Sequence, residues 1–227
     1  MTINFALSLS HEGIEMLQRV RDGWRLLGHV DVNSPTLNAD LTSLQTQAET
    51  LAEGMFYCKL IIPEDQIKFT VIDSEHTDQG HVDAVLMDAT PYPLEALAVD
   101  YERADGKTHI AAVARETLQE AENFAAARGF NPVSFVAVAP AGSFQREVFF
   151  GPTSSMPDIL GPDATVTRDE DPVRLEGTRL QSPEVAILPP TPPVRQAIWV
   201  DAIPPEHRHP LPATAKPEPR QITLATP

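Results

Sequence analysis

From Ile67 to Pro140 the apolar residues keep changing period, and that alternation limits the chain to a fold that mixes strands with helices. Ile67–Ile72 reads as a strand, and Val82, Val85, Leu86 and Ala89 then recur at helical spacing over Asp78–Ala89. Pro91 and Pro93 stop that helix, because proline lacks a backbone donor and turns the residue before it away from helical geometry. Leu97–Arg103 and Thr108–Ala114 are strands, and Asp105-Gly106 between them is a strong two-residue hairpin signal. Arg115–Arg128 is a helix with Leu118, Ala121, Phe124 and Ala125 inward and Gly129 as its end. Val133–Val138 closes the stretch as an apolar strand.

The residues in front add an antiparallel meander. Ile3, Phe5, Leu7 and Leu9 alternate with Asn4, Ala6, Ser8 and Ser10, the pattern of a strand with one buried face. Ser10–Gly13 is a turn, Ile14–Arg19 a second strand, Asp22-Gly23 a hairpin signal and Trp24–Val32 a third strand. Ser34-Pro35 starts a helix whose inner face is Leu37, Leu41, Leu44, Ala48, Leu51 and Ala52, with Gly54 at its end. Phe56–Ile62 is a buried strand. Interleaved in this way, residues 1–150 form an α/β (α+β) domain with a mixed sheet.

Composition changes after that point. Of 22 prolines, 16 lie in residues 151–227, whereas 13 of the 14 aromatic residues lie before them. A stretch so poor in apolar bulk has little to bury, so 151–227 is expected to be a proline-rich, disordered linker or tail. Ala197-Ile-Trp199-Val-Asp201 is its one apolar island. The net charge of −15 places 10 Lys/Arg against 22 Asp/Glu in residues 1–150, which speaks against nucleic acid and an anionic membrane surface as partners. No apolar run is long enough to span a bilayer, and the N-terminus lacks a signal-peptide pattern. The single Cys58 forms no internal disulfide. A cytoplasmic protein is expected.

Chemistry-bearing patterns are sparse. Cys58 lies on an apolar strand and reads as core rather than as a nucleophile. His76 and His81, among acidic residues, sit five apart and so not on one helical face; His207 and His209 lie in the tail. Asp169-Glu170-Asp171 stands among prolines, where no rigid support is expected. No nucleophile elbow, P-loop or dinucleotide fingerprint occurs. The expectation is no catalytic residue, no metal and no cofactor. The hairpin Leu7–Gly13 is the one place where a divergent phosphate loop could be built, with Ser8, Ser10 and Gly13 as its residues.

Several short segments carry a family resemblance. Thr90-Pro-Tyr-Pro-Leu-Glu-Ala-Leu-Ala-Val-Asp-Tyr101 resembles the helix-to-strand passage of the actin-like pilus-assembly protein M. Thr108–Arg115 resembles that family's next strand, and Ala126-Ala-Arg-Gly-Phe-Asn-Pro132 its helix exit. Leu60–Ile67 and the segment after it are similar to the cytoplasmic domain of type II secretion protein L. The resemblance spans residues 3–140 and implies an actin-like (RNase H-like) half with an inserted strand-helix-strand-strand module at about 67–115. It also implies a non-enzymatic scaffold at the inner face of the inner membrane, binding a membrane-protein segment or an assembly ATPase; a homodimer stays open. Nucleotide binders of the family carry Asp and Gly where this chain has Ser8 and Ser10, and a proline-rich tail replaces the second half. No ATP-site residue therefore carries over, and an ATP binder with a divergent loop is the alternative.

Overall fold

The computed structural model describes residues 3–21, 23–52, 55–74, 77–170 and 172–173. Six strands form the main sheet in the order β3-β2-β1-β4-β8-β9: β1 Phe5–Leu9, β2 Ile14–Val20, β3 Gly23–Val30, β4 Cys58–Ile62, β8 Pro132–Ala137 and β9 Val148–Pro152. β1, β4 and β8 run parallel, and the other pairings are antiparallel. Helices α1 (Leu37–Ala52) and α3 (Arg115–Ala126) cover one face. There Leu41, Leu44, Ala48, Leu118, Ala121 and Phe124 bury against Phe5, Leu7, Leu9, Leu60 and Phe135. α3 ends as its glycine predicts: Gly129 has φ +73, and Phe130 and Gly129 donate to the carbonyls of Ala125 and Ala126.

A second sheet, β5-β7-β6, is inserted between β4 and α3. It holds β5 Ile67–Ile72, helix α2 Gln79–Ala89, β6 Leu97–Ala104 and β7 Lys107–Ala114. Asp78 caps α2 by accepting from the His81 amide at 2.8 Å. Asp105 (φ +53) and Gly106 (φ +78) supply the two left-handed residues that the tight β6–β7 turn needs. α2 packs Val82 and Leu86 against Ile72, Leu97, Ile110 and Ala112 on the outer face. This is the mixed α/β architecture that the actin-like resemblance implies, with the strand-helix-strand-strand module in its expected place.

Two expectations fail at the other face of the main sheet. β1 is buried on both faces: Ala6 is as enclosed as Leu7, and Ser8 is also buried. Leu17, Trp24 and Phe149 cover that face together with Val173 and Asp169, which lie in the stretch beyond 150 that was expected to be loose. β9 runs to Pro152, α4 spans Met156–Leu160, and Val166 and Val173 are buried. The physical reason is polar rather than apolar. Lys59, on the central strand β4, is 1% exposed and turned toward this face. Its ammonium meets Glu147 Oε1 at 2.6 Å and also pairs with Asp169, which Arg19 bonds in turn. The Asp169 amide donates to Glu147 Oε2 at 3.3 Å. Arg19 lies over the buried Trp24 ring, 4.7 Å from its centroid. A buried lysine demands such partners, and among the described residues they come from the chain after β8. Asp169, expected to lack support, is one of the most constrained carboxylates. Residues 174–227, with Trp199, His207 and His209, lie outside the described residues, as do Glu75, His76 and Asp171.

Lys59→Met is expected to cost about 3–5 kcal/mol, since it leaves Glu147 enclosed without a cation; adding Glu147→Leu should recover most of that loss. Urea unfolding of the two variants checks it, and equal destabilisation in both would be the contrary result.

Candidate functional site

The hairpin singled out for phosphate is closed upon itself. The Ser10 amide donates to Gly13 O at 3.1 Å, the Ser10 hydroxyl donates to the same oxygen at 2.9 Å, and the Gly13 amide donates to Ser10 Oγ at 3.2 Å. The His29 ring packs over Gly13, where a Cβ would lie 2.2 Å from it, and His11 bonds Asp65 in the turn that follows β4. Ser8 is buried on the opposite face of β1 from Leu7 and Leu9. The structure therefore does not bring Ser8, Ser10 and Gly13 together around one open space.

The other residues weighed from sequence also have local roles. Cys58 is fully buried, its thiol donates to Phe130 O at 3.2 Å, and burial pushes its pKa far above the ordinary thiol range. His81 sits in the first turn of α2, where its amide is capped. Among the described residues no group of three or more His, Cys, Asp and Glu is placed to hold a metal ion. A surface depression lies on the outer face of α1, along Thr42, Thr46 and Thr50. It is open to solvent, and each of these hydroxyls bonds a carbonyl of its own helix.

The more structured place is the junction between the two sheets. Register fixes three rows across the inner face of the second sheet. The first is Ile67, Val113 and Ala98; the second is Phe69, Ala111 and Asp100; the third is Val71, His109 and Glu102. The first row is apolar and joins the main core. Moving outward, small Ala111 sits between Phe69 and Asp100, and the third row adds an imidazole and a carboxylate. Val71 at the rim is 47% exposed.

Both carboxylates are enclosed and used. Asp100 accepts from the Phe149 amide at 2.9 Å and pairs with Arg168; burial is the larger effect and raises its pKa. Glu102 accepts the amides of Gln145 and Arg146 at 3.1 and 3.2 Å. On α3, Glu122 does the same for Ser154 and Ser155 at 3.1 and 2.8 Å. The carboxylates of β6 were missed from sequence because alternating acids on a strand ordinarily mark a solvated face. The available signal was that the intervening Val99 and Tyr101 face α2, which commits Asp100 and Glu102 to the inner side.

Comparison with protein-family models and with curated proteins finds no match. Among solved structures, the chain is similar to the cytoplasmic domain of EpsL, an inner-membrane component of the type II secretion system of Vibrio cholerae. Identity is 12% and the TM-score 0.43, over 58% of this chain and 55% of that one. It is similar to the PilM–PilN type IV pilus biogenesis complex at 11% identity and TM-score 0.41, over 61% and 46%. A third is a Bacteroides thetaiotaomicron protein with an actin-like ATPase fold and unknown function, at 16% and 0.35, over 52% and 47%. The first two names are those of the families that the sequence resembles. The chain spans about half the length of each structure.

Burial also sets a pH dependence. On α3, burial and the neighbouring Glu116 raise the Glu120 pKa to about 7. The folded chain then keeps a proton that the unfolded chain loses, so this group's contribution to stability falls as pH rises from about 4.5 to about 7. Glu120→Gln is expected to stabilise the protein by about 1–2 kcal/mol at pH 8, discounted for partial solvent screening, and to change little at pH 4. Unfolding free energies at the two pH values check this; an equal effect at both would contradict it.

Proposed function

We propose that this protein is a non-enzymatic scaffold or adaptor that binds a protein partner at the junction of its two sheets. The observation that carries the proposal is the inner face of the second sheet. It grades from core residues through Phe69 to a rim where Val71 is exposed, His109 half-buried and Glu102 enclosed, on a sheet whose outer strand β5 pairs only with β7 among the described residues. Such a face offers an extended segment an apolar floor, a carboxylate and an unpaired strand edge. A membrane-associated assembly of the secretion or pilus kind is the setting that the sequence resemblance favours, with a short segment of a membrane protein or an assembly ATPase as the partner. Among the described residues no helix is long and apolar enough to cross a membrane.

A photo-reactive side chain at Val71 is expected to capture a protein partner when the chain is expressed in its native cell, whereas the same group at Thr46 on the outer face of α1 should not. Equal capture at the two positions would contradict this placement. A Mg²⁺-dependent rise in melting temperature with ATP would favour the nucleotide reading of the Ser10–Gly13 turn instead.

A further inference from the structure

The loop between β8 and β9 already occupies part of this junction. Pro140–Ser143 is a tight turn: Gly142 has φ +79, and the Ser143 amide and hydroxyl donate to Pro140 O at 3.2 and 2.6 Å. The turn delivers Phe144 against the second sheet. Its ring meets that of Phe69 edge-on with centroids 6.4 Å apart, and lies 6.3 Å from that of His109. The next two amides, of Gln145 and Arg146, converge on Glu102 Oε2, and the Arg146 guanidinium lies 3.6 Å from Glu102 Oε1.

Three consecutive residues thus present an aromatic ring, two successive N–H donors and a cation. These are the groups an extended segment of sequence aromatic–any–basic would bring. The contact is peripheral: Phe144 is only half-buried, Gln145 is exposed and Arg146 is 46% exposed. The strands on either side stay anchored without it, because Ala137 pairs with Val148 and Phe149 is held by Asp100. Arg168 already neutralises Asp100, which leaves Glu102 to select the cation.

We infer that Ser143–Arg146 is a built-in occupant of the junction, displaced by a partner segment with an aromatic residue followed two positions later by Arg or Lys. This rests on the partner-binding reading above and adds its recognition chemistry and its regulation. A partner must exchange like groups for like, so the loop lowers apparent affinity by the fraction of molecules in which it is seated.

The test uses the full chain and a fluorescent peptide with the sequence of residues 140–147, followed by anisotropy. Phe144→Ala removes the ring, and Arg146→Gln, at an exposed position, loosens the loop without touching the core. Both variants are expected to bind the peptide about tenfold or more tighter than the parent chain. Adding Glu102→Gln, or replacing the peptide's phenylalanine with alanine, should abolish the gain. Variants with unchanged circular dichroism that bind no tighter than the parent would overturn the inference. If that happens while Val71 still captures a partner, the built-in occupant falls and partner binding stands; if Val71 captures none, both fall.

Discussion

A buried ammonium group on a central strand dictates much of this structure. Lys59 is enclosed between β1 and β8, in a sheet whose nearby side chains on that face are Ala6, Ile61, Ser134 and Val136. None of these can balance its charge. The balance comes from Glu147 and Asp169, 88 and 110 residues later in the chain. An uncompensated lysine in such a place costs several kcal/mol, so the sheet cannot close its second face until the chain has returned twice. The apolar cluster on this face is correspondingly small, with Val173 completing Ala6, Leu17, Trp24, Ile61 and Val136.

The same device recurs around the molecule. Asp100, Glu102, Glu122 and Glu147 are each less than a tenth exposed, and each accepts main-chain N–H groups from residues 145–169. In a chain with net charge −15, these acids are internal anchors rather than solvated surface. They let a segment with few large apolar side chains follow a defined path, because each carboxylate accepts main-chain N–H groups in charge-assisted hydrogen bonds. The path runs across the junction between the sheets, so the proposed binding place and its built-in occupant share one set of contacts. Fold and proposed function meet at Glu102.

Elements whose information is local were legible in the sequence. The period-2 and helical patterns place β5 and α2 within a residue of their observed limits, and Asp105-Gly106 and Gly129 mark turns that depend on backbone conformation alone. The inserted module was implied by the family resemblance. What stayed hidden depends on contacts between distant residues. Nothing within a few positions of Asp169 announces Lys59, and prolines around it read as linker because a polar strap lacks periodicity. The junction was hidden for a related reason. Asp100 and Glu102 look like surface charges until the strand register and α2 show which face they occupy. The Ser10–Gly13 turn was visible as a turn, but its internal hydrogen bonds emerge only from its geometry.

Hydrogen–deuterium exchange on the full chain tests the central claim most directly, namely that residues 147–169 belong to the same cooperative unit as the main sheet. The amides of Phe149 and Asp169 should exchange slowly, and replacing Lys59 should speed Asp169 far more than Phe149. Exchange of both at the rate of an unstructured peptide in the parent chain would contradict it.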